Sequence, residues 1–312
     1  MKFLTAIFLF LSIPFTMKSA GAADAPSVEK IESRDLTVGT MQRHYILYAP
    51  ANLAPRAPLL IAYHPSGSSA AKMRMMSSAI LERLARERGF AIAYPDGFEG
   101  HFNDCRRAAT YSARTQNIDD VGFTRAIIAD VSGHIGSDAN RIYALGYSNG
   151  GHMAMRLSLE VPDLISGAIV IAANLPVEDN IDCPIVDGHK LSMVFIEGTA
   201  DPINPYAGGD VNIFGMGDRG DHRSAPDTAL WYARRYGLEE QASPPDLEAR
   251  GMKASWKDWG KGQPKIRLIT IEQGGHTIPQ AKFDFPASLM LGKTFRSDVP
   301  LESALDGLGL SK

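Results

Sequence analysis

The chain has 312 residues, 45% of them apolar and 21% charged, and a formal net charge of −3. Nothing in that balance is basic enough for a nucleic-acid surface or for attraction to an anionic membrane. With only Cys105 and Cys183, no Cys/His spacing resembles a zinc site.

The N-terminus reads as a targeting segment. Lys2 supplies a positive charge, Phe3 to Thr16 form an apolar core, and Ala20-Gly21-Ala22 offers a small-residue cleavage site. The apolar run is shorter than the roughly 20 residues a membrane span needs. Residues 1–22 are therefore expected to be a signal peptide, leaving residues 23–312 as one exported domain with no membrane attachment. In such a compartment the two cysteines could pair, and a bridge closing so long a loop could stabilise by up to roughly 4 kcal/mol. The sequence alone leaves the bridge and two separate buried thiols both open.

From residue 44 onward short apolar runs alternate with helix-period segments. "HYILYAP" and "PLLIAYHP" read as strands, and "AKMRMMSSAILERLARERG" as a helix stopped at Gly89. "FAIAYPDG" is the next strand and "NIDDVGFTRAIIADVSGHIG" the next helix, with the pair Asp119-Asp120 read as its cap. "RIYALGY" is a buried strand, and "NGGHMAMRLSLEVP" a helix halted by Pro162. "ISGAIVIAAN", "LSMVFIEG" and "KIRLITIEQ" supply three further strands. This alternation predicts an α/β fold, a mostly parallel central sheet with helices on both faces. Residues 204–262 interrupt it. They read as an elaborated loop region carrying one helix, "APDTALWYARRYGL", and a polar patch around Trp256 and Trp259.

The candidate chemistry centres on Gly146-Tyr147-Ser148-Asn149-Gly150. It fits the G-x-S-x-G nucleophile elbow, with a strand entering and a helix leaving. A serine on so sharp a turn is strained, and side chains two positions either side would collide with the neighbouring helix and strand. A serine hydroxyl needs a base, and the base needs an orienting acid. In this arrangement the partners come in the order serine, acid, histidine, each after a later strand. Asp201 follows "LSMVFIEG" and His276 follows "KIRLITIEQ", after two glycines expected to leave room for the imidazole. Asp210 and Asp218 are rival acids on the same long loop. His152 reads as packing behind the elbow, and His189 and His222 as exposed loop residues. The developing oxyanion needs two backbone N–H groups. Asn149 should supply one, and the loop His64-Pro65-Ser66-Gly67 the other; Pro65 has no N–H, so the donor falls on Ser66.

These residues carry a resemblance. "YPDG", "DDVGF", "RIYALGYSNGGHMA", "IEGTADPINPYAGG" and "GGHTIP" resemble, in order and over nearly the whole mature chain, the secreted polyhydroxybutyrate-depolymerase and feruloyl-esterase group of α/β-hydrolases. The resemblance implies hydrolysis of small or oligomeric carboxylic esters, without metal or organic cofactor, in a secreted or periplasmic setting. It places the nucleophile on Ser148, the acid on Asp201, the base on His276 and the oxyanion donors on Ser66 and Asn149. The sequence departs from the group at Pro65, at Ile278 where a Trp is usual, and in a C-terminal end without the usual aromatics. No added polymer-binding module is recognisable, which favours hydroxycinnamoyl esters over polyhydroxybutyrate or hydroxyalkanoate oligomers. A serine peptidase and a non-catalytic binding protein on the same scaffold are the readings from other classes.

Overall fold

The computed structural model describes residues 28–51, 53–212, 217–285 and 288–310. The expected signal peptide lies outside them. Leu59–Tyr63 (β3) has no polar face, as a strand covered on both sides requires. The same holds for Ala91–Pro95 (β4), Ile142–Tyr147 (β5), Gly167–Ile171 (β6) and Ser192–Gly198 (β7), every residue of which is buried. With Ile266–Ile271 (β13) they form six adjacent parallel strands in the order β4-β3-β5-β6-β7-β13. Antiparallel strands flank them. Met41–Ala49 (β2) pairs with β4, and Lys30–Val38 (β1) closes that edge. Met252–Trp259 (β12) pairs with β13, and Glu240–Gln241 (β10) and Leu247–Ala249 (β11) pair with β12.

Alternate residues of one strand serve two cores. Leu59, Ile61 and Tyr63 join a cluster with Asp120–Ile135 (α3), Asn149–Glu160 (α4) and Ala225–Tyr236 (α5). Leu60 and Ala62 join the other, with Ala70–Arg88 (α1) and Val299–Gly307 (α7). The smaller elements are the helices Ser112–Thr115 (α2) and Ser288–Leu291 (α6), and a two-stranded ribbon of Gly209–Asp210 (β8) and Asp221–His222 (β9). The chain has the α/β-hydrolase fold, a mostly parallel sheet between two helical layers. No described helix is long and apolar enough to cross a membrane.

Three expectations change. Residues 204–262 contain a full strand of the main sheet, β12, because Met252, Ala254 and Trp256 alternate with Lys253, Ser255 and Lys257. Trp256 and Trp259 are buried within it, and the indole N–H of Trp256 donates to Ser303. Asp119 does cap α3, accepting the Gly122 N–H at 2.7 Å. Asp120 does not share that role: it is buried in an ion pair with Arg43 at 2.6 Å and accepts the Asn103 N–H.

Cys105 and Cys183 are joined as a disulfide across 78 residues, with their Cα atoms 5.1 Å apart. The bridge clips the segment around Asp104 and Arg106 to the strand-β6 exit loop, where Asp182 N–H donates to the Cys105 carbonyl. Replacing both cysteines by serine is expected to lower the unfolding free energy by roughly 4 kcal/mol if the loop-entropy account holds. Urea denaturation of the oxidised and the doubly substituted proteins measures it, and coincident curves would show that the closed loop adds nothing.

Candidate active site

Four strand ends deliver the expected residues to one edge of the sheet: Ser66 after β3, Ser148 after β5, Asp201 after β7 and His276 after β13. Ser148 sits between β5 and α4 at φ 57°, ψ −119°, a region that side chains other than glycine rarely adopt. Its N–H donates to the Ile171 carbonyl at 2.9 Å, and its carbonyl accepts the His152 N–H at 3.0 Å. The flanking glycines are steric necessities. A Cβ on Gly146 would overlap the Gly150 carbonyl, and one on Gly150 would overlap the Tyr63 carbonyl of β3.

His276 Nδ1 and Asp201 Oδ2 are 2.7 Å apart, and both side chains are buried. The other Asp201 oxygen accepts the N–H groups of Ile203 and Asn204, each at 2.8 Å, so the carboxylate is held in one orientation. The His276 main chain is fixed too: its N–H donates to Leu291 and its carbonyl accepts the Tyr147 hydroxyl, both at 2.6 Å. The paired glycines before it have a different reason from the one expected. A Cβ on Gly275 would strike the Leu291 carbonyl, and one on Gly274 would strike Ile271, so they permit close backbone approach rather than space for the ring.

Ser148 and His276 line one cavity of about 400 Å³. Its wall includes Ser66 and is otherwise largely apolar, with Met76, Ile203, Phe285 and Leu291. Among the described contacts the serine hydroxyl does not hydrogen-bond the imidazole, a bond that in hydrolytic sites often tightens only around substrate. Asp210 and Asp218 are exposed and accept hydrogen bonds from Asn212 and from the Gly220 N–H.

Both oxyanion candidates are held by buried side chains: Asp104 and Tyr111, which the sequence reading did not identify, and His64, which it placed beside the oxyanion loop. Asn149 opens α4, where a backbone N–H has no partner within the helix. Its side chain is fully engaged elsewhere. The amide oxygen accepts from Phe102 N–H, and the amide nitrogen donates to Asp104 and to the Tyr111 hydroxyl. Asp104 is in turn paired with Arg106 at 2.6 Å; burial would raise its carboxyl, but the guanidinium prevails and holds it low. Across the cavity, His64 is completely buried, and burial holds its ring down to about 4. Its Nε2 accepts the Gly97 N–H at 2.9 Å, so Nδ1 carries the proton and donates to the Pro65 carbonyl at 2.8 Å. In a trans peptide the N–H points opposite to the carbonyl. His64 therefore turns the Ser66 N–H away from itself and orients the Pro65–Ser66 peptide.

His222 is not an exposed loop residue. The β8–β9 ribbon buries it, with its ring 5.0 Å from that of His152 and its Nε2 unpartnered. Burial holds His222 down to about 3 and His152 well below the ordinary histidine range, with Arg106 adding to both. His189 is exposed, as expected. No group of three or more His, Cys, Asp or Glu among the described residues could hold a metal ion.

No protein-family profile matches the chain. NocK of Nocardia uniformis subsp. tsuyamanensis, assigned as an esterase, is 28% identical over 297 residues, covering 88% of this chain and 82% of that one. Feruloyl esterase B of Piromyces equi is 30% identical over 232 residues, 72% of this chain but 40% of the fungal protein. Among solved structures, acetyl xylan esterase from Aspergillus awamori superposes with a TM-score of 0.56 at 14% identity, covering 90% of this chain and all of that one, and supports the fold. The chain has the α/β-hydrolase fold, and the relatives it is similar to in sequence carry esterase names.

Buried His64, His152 and His222 set an acid limit on the fold. Each is protonated in the unfolded chain below about pH 6.5 but neutral in the folded one, so the unfolded state binds more protons and stability falls as pH drops from about 6.5 towards 4. Glu197, Asp120 and Glu82, each raised by burial, have the opposite sign and offset part of this. A net loss of stability between pH 7 and pH 5 is expected. Urea unfolding at pH 7, 6 and 5 tests it, and a flat stability over that range would overturn the assignment of neutral buried rings.

Proposed function

We propose that the chain is an exported, single-domain serine esterase that works through an acyl-enzyme on hydroxycinnamoyl esters. The observation that carries the mechanism is the 2.7 Å bond between His276 Nδ1 and Asp201, with Ser148 opening onto the same cavity. Asp201 holds the proton on Nδ1 and leaves Nε2 free as a base. Ser148 Oγ attacks the ester carbonyl carbon as its proton passes to His276 Nε2. The oxyanion is held by the Asn149 and Ser66 N–H groups. Collapse expels the alcohol, which takes the proton from His276. Water then gives a proton to Nε2 and attacks the acyl carbon, and a second tetrahedral intermediate releases the acid and restores Ser148.

The apolar walls formed by Met76, Ile203, Phe285 and Leu291 suit a planar aromatic or aliphatic acyl group and offer no carboxylate to recognise a cationic peptide side chain. The relatives named feruloyl esterase B support the hydroxycinnamoyl choice. The Cys105–Cys183 disulfide supports an oxidising compartment, in keeping with the signal-like N-terminus.

The test is hydrolysis of methyl ferulate, a hydroxybutyrate trimer, a short p-nitrophenyl ester and an aminoacyl anilide, each with Ser148→Ala alongside. Methyl ferulate should be preferred, and Ser148→Ala should lower kcat by up to about a millionfold. Preference for the trimer would move the substrate class to hydroxyalkanoates, and turnover of the anilide alone would move it to peptides. Undiminished turnover by Ser148→Ala would remove the serine mechanism.

A further inference from the structure

Glu197 is the one charged residue of β7, "SMVFIEG", and is 1% exposed. Among the described residues it has no cationic partner. A buried carboxyl without one is costly, and an apolar side chain would suit this strand better on packing grounds alone. Its two oxygens are used separately. One accepts the Ala173 N–H, just beyond β6, at 3.1 Å; the other accepts the Asn204 side-chain amide at 3.3 Å.

Asn204 is the link to the site. Its backbone N–H is one of the two donors on Asp201 Oδ1, at 2.8 Å, and its side-chain oxygen accepts the Asn174 N–H at 3.2 Å. Asn174 in turn donates its amide to the Pro205 carbonyl at 2.9 Å. The loop carrying Asp201 is thus tied to the β6 exit through Glu197 and Asn204, and the same loop aims Asp201 at His276. Burial, reinforced by the neighbouring Asp201, pushes the Glu197 carboxyl well above the ordinary carboxylate range. Kept neutral, it braces the loop without adding a second negative charge beside the Asp201–His276 pair.

We propose that Glu197 is a positioning residue for catalysis, fixing through Asn204 the loop that aims Asp201 at His276. The proposal rests on the reading of Ser148, His276 and Asp201 as the triad.

The experiment is steady-state hydrolysis of p-nitrophenyl acetate by wild type, Glu197→Gln, Asn204→Ala and Ser148→Ala, with thermal unfolding of each. Glu197→Gln keeps an acceptor for Ala173 but sets one NH₂ group against another at Asn204. It should lower kcat about tenfold with KM changed by less than about twofold. Asn204→Ala, which keeps the backbone bond to Asp201 and loses the brace, should show the same split. Wild-type kcat in both variants would overturn the proposal, and so would a loss carried by KM with kcat unchanged. If Glu197→Gln fails to fold, Asn204→Ala decides alone. Ser148→Ala separates the two readings: activity surviving there overturns the triad itself, whereas its loss beside unaffected Glu197 and Asn204 variants overturns only the role of Glu197.

Discussion

The backbone of Ser148, at φ 57° and ψ −119°, is held in a conformation that costs about 1–3 kcal/mol and would relax if either side let go. Neither side can. Strand β5 lies in the middle of the parallel sheet, paired with β3 and β6, and the Ser148 N–H is engaged by Ile171. On the other side, α4 packs its apolar face into the core through Met153, Ala154 and Leu157. The turn is forced on the serine by two elements that each gain more from burial than the turn costs. Because the six central strands run parallel, the loops carrying Ser66, Asp201 and His276 emerge at that same edge.

Asn149, the Pro65–Ser66 peptide and Asp201 are each fixed by a polar neighbour. Asp104, held by Arg106, together with Tyr111 and the Phe102 backbone, occupies the Asn149 side chain, leaving its backbone N–H as the group it can offer. His64 plays the corresponding part for the Pro65–Ser66 peptide, and the Ile203 and Asn204 N–H groups do so for Asp201. These supports draw their rigidity from burial, since a hydrogen bond without competing water is both stronger and costlier to break. The same burial keeps His64 neutral. A protonated His64 would lose the acceptor that Gly97 uses, and the Pro65–Ser66 loop would lose its anchor. Stability and site geometry are therefore not separable in this molecule.

Much of the site was legible before the fold was known, for local reasons. The glycines around Ser148 report a steric demand that no other residue meets, and the buried runs "SMVFIEG" and "IRLITI" mark strands whose ends must carry Asp201 and His276. Other signals were present but went unread. Strand β12 alternates apolar and polar residues at period two, yet its lysines and aspartate make it look like a loop. Glu197 is a lone acid in an otherwise apolar strand, an inconsistency of the kind that marks a constrained position.

What the sequence determined by itself was whatever depends on residues near one another along the chain: the strand–turn–helix around Ser148, the caps at Asp119 and Gly89, and the order of strands and helices. What only the tertiary structure decided was every pairing across long separations. Cys105 meets Cys183, Arg43 meets Asp120 rather than solvent, Asn149 turns its side chain to Asp104, and His222 is buried against His152. The physical reason is that a local pattern encodes which face of an element is apolar, whereas the partner of a buried polar group is set by how separate elements pack, and that packing is a property of the whole sheet.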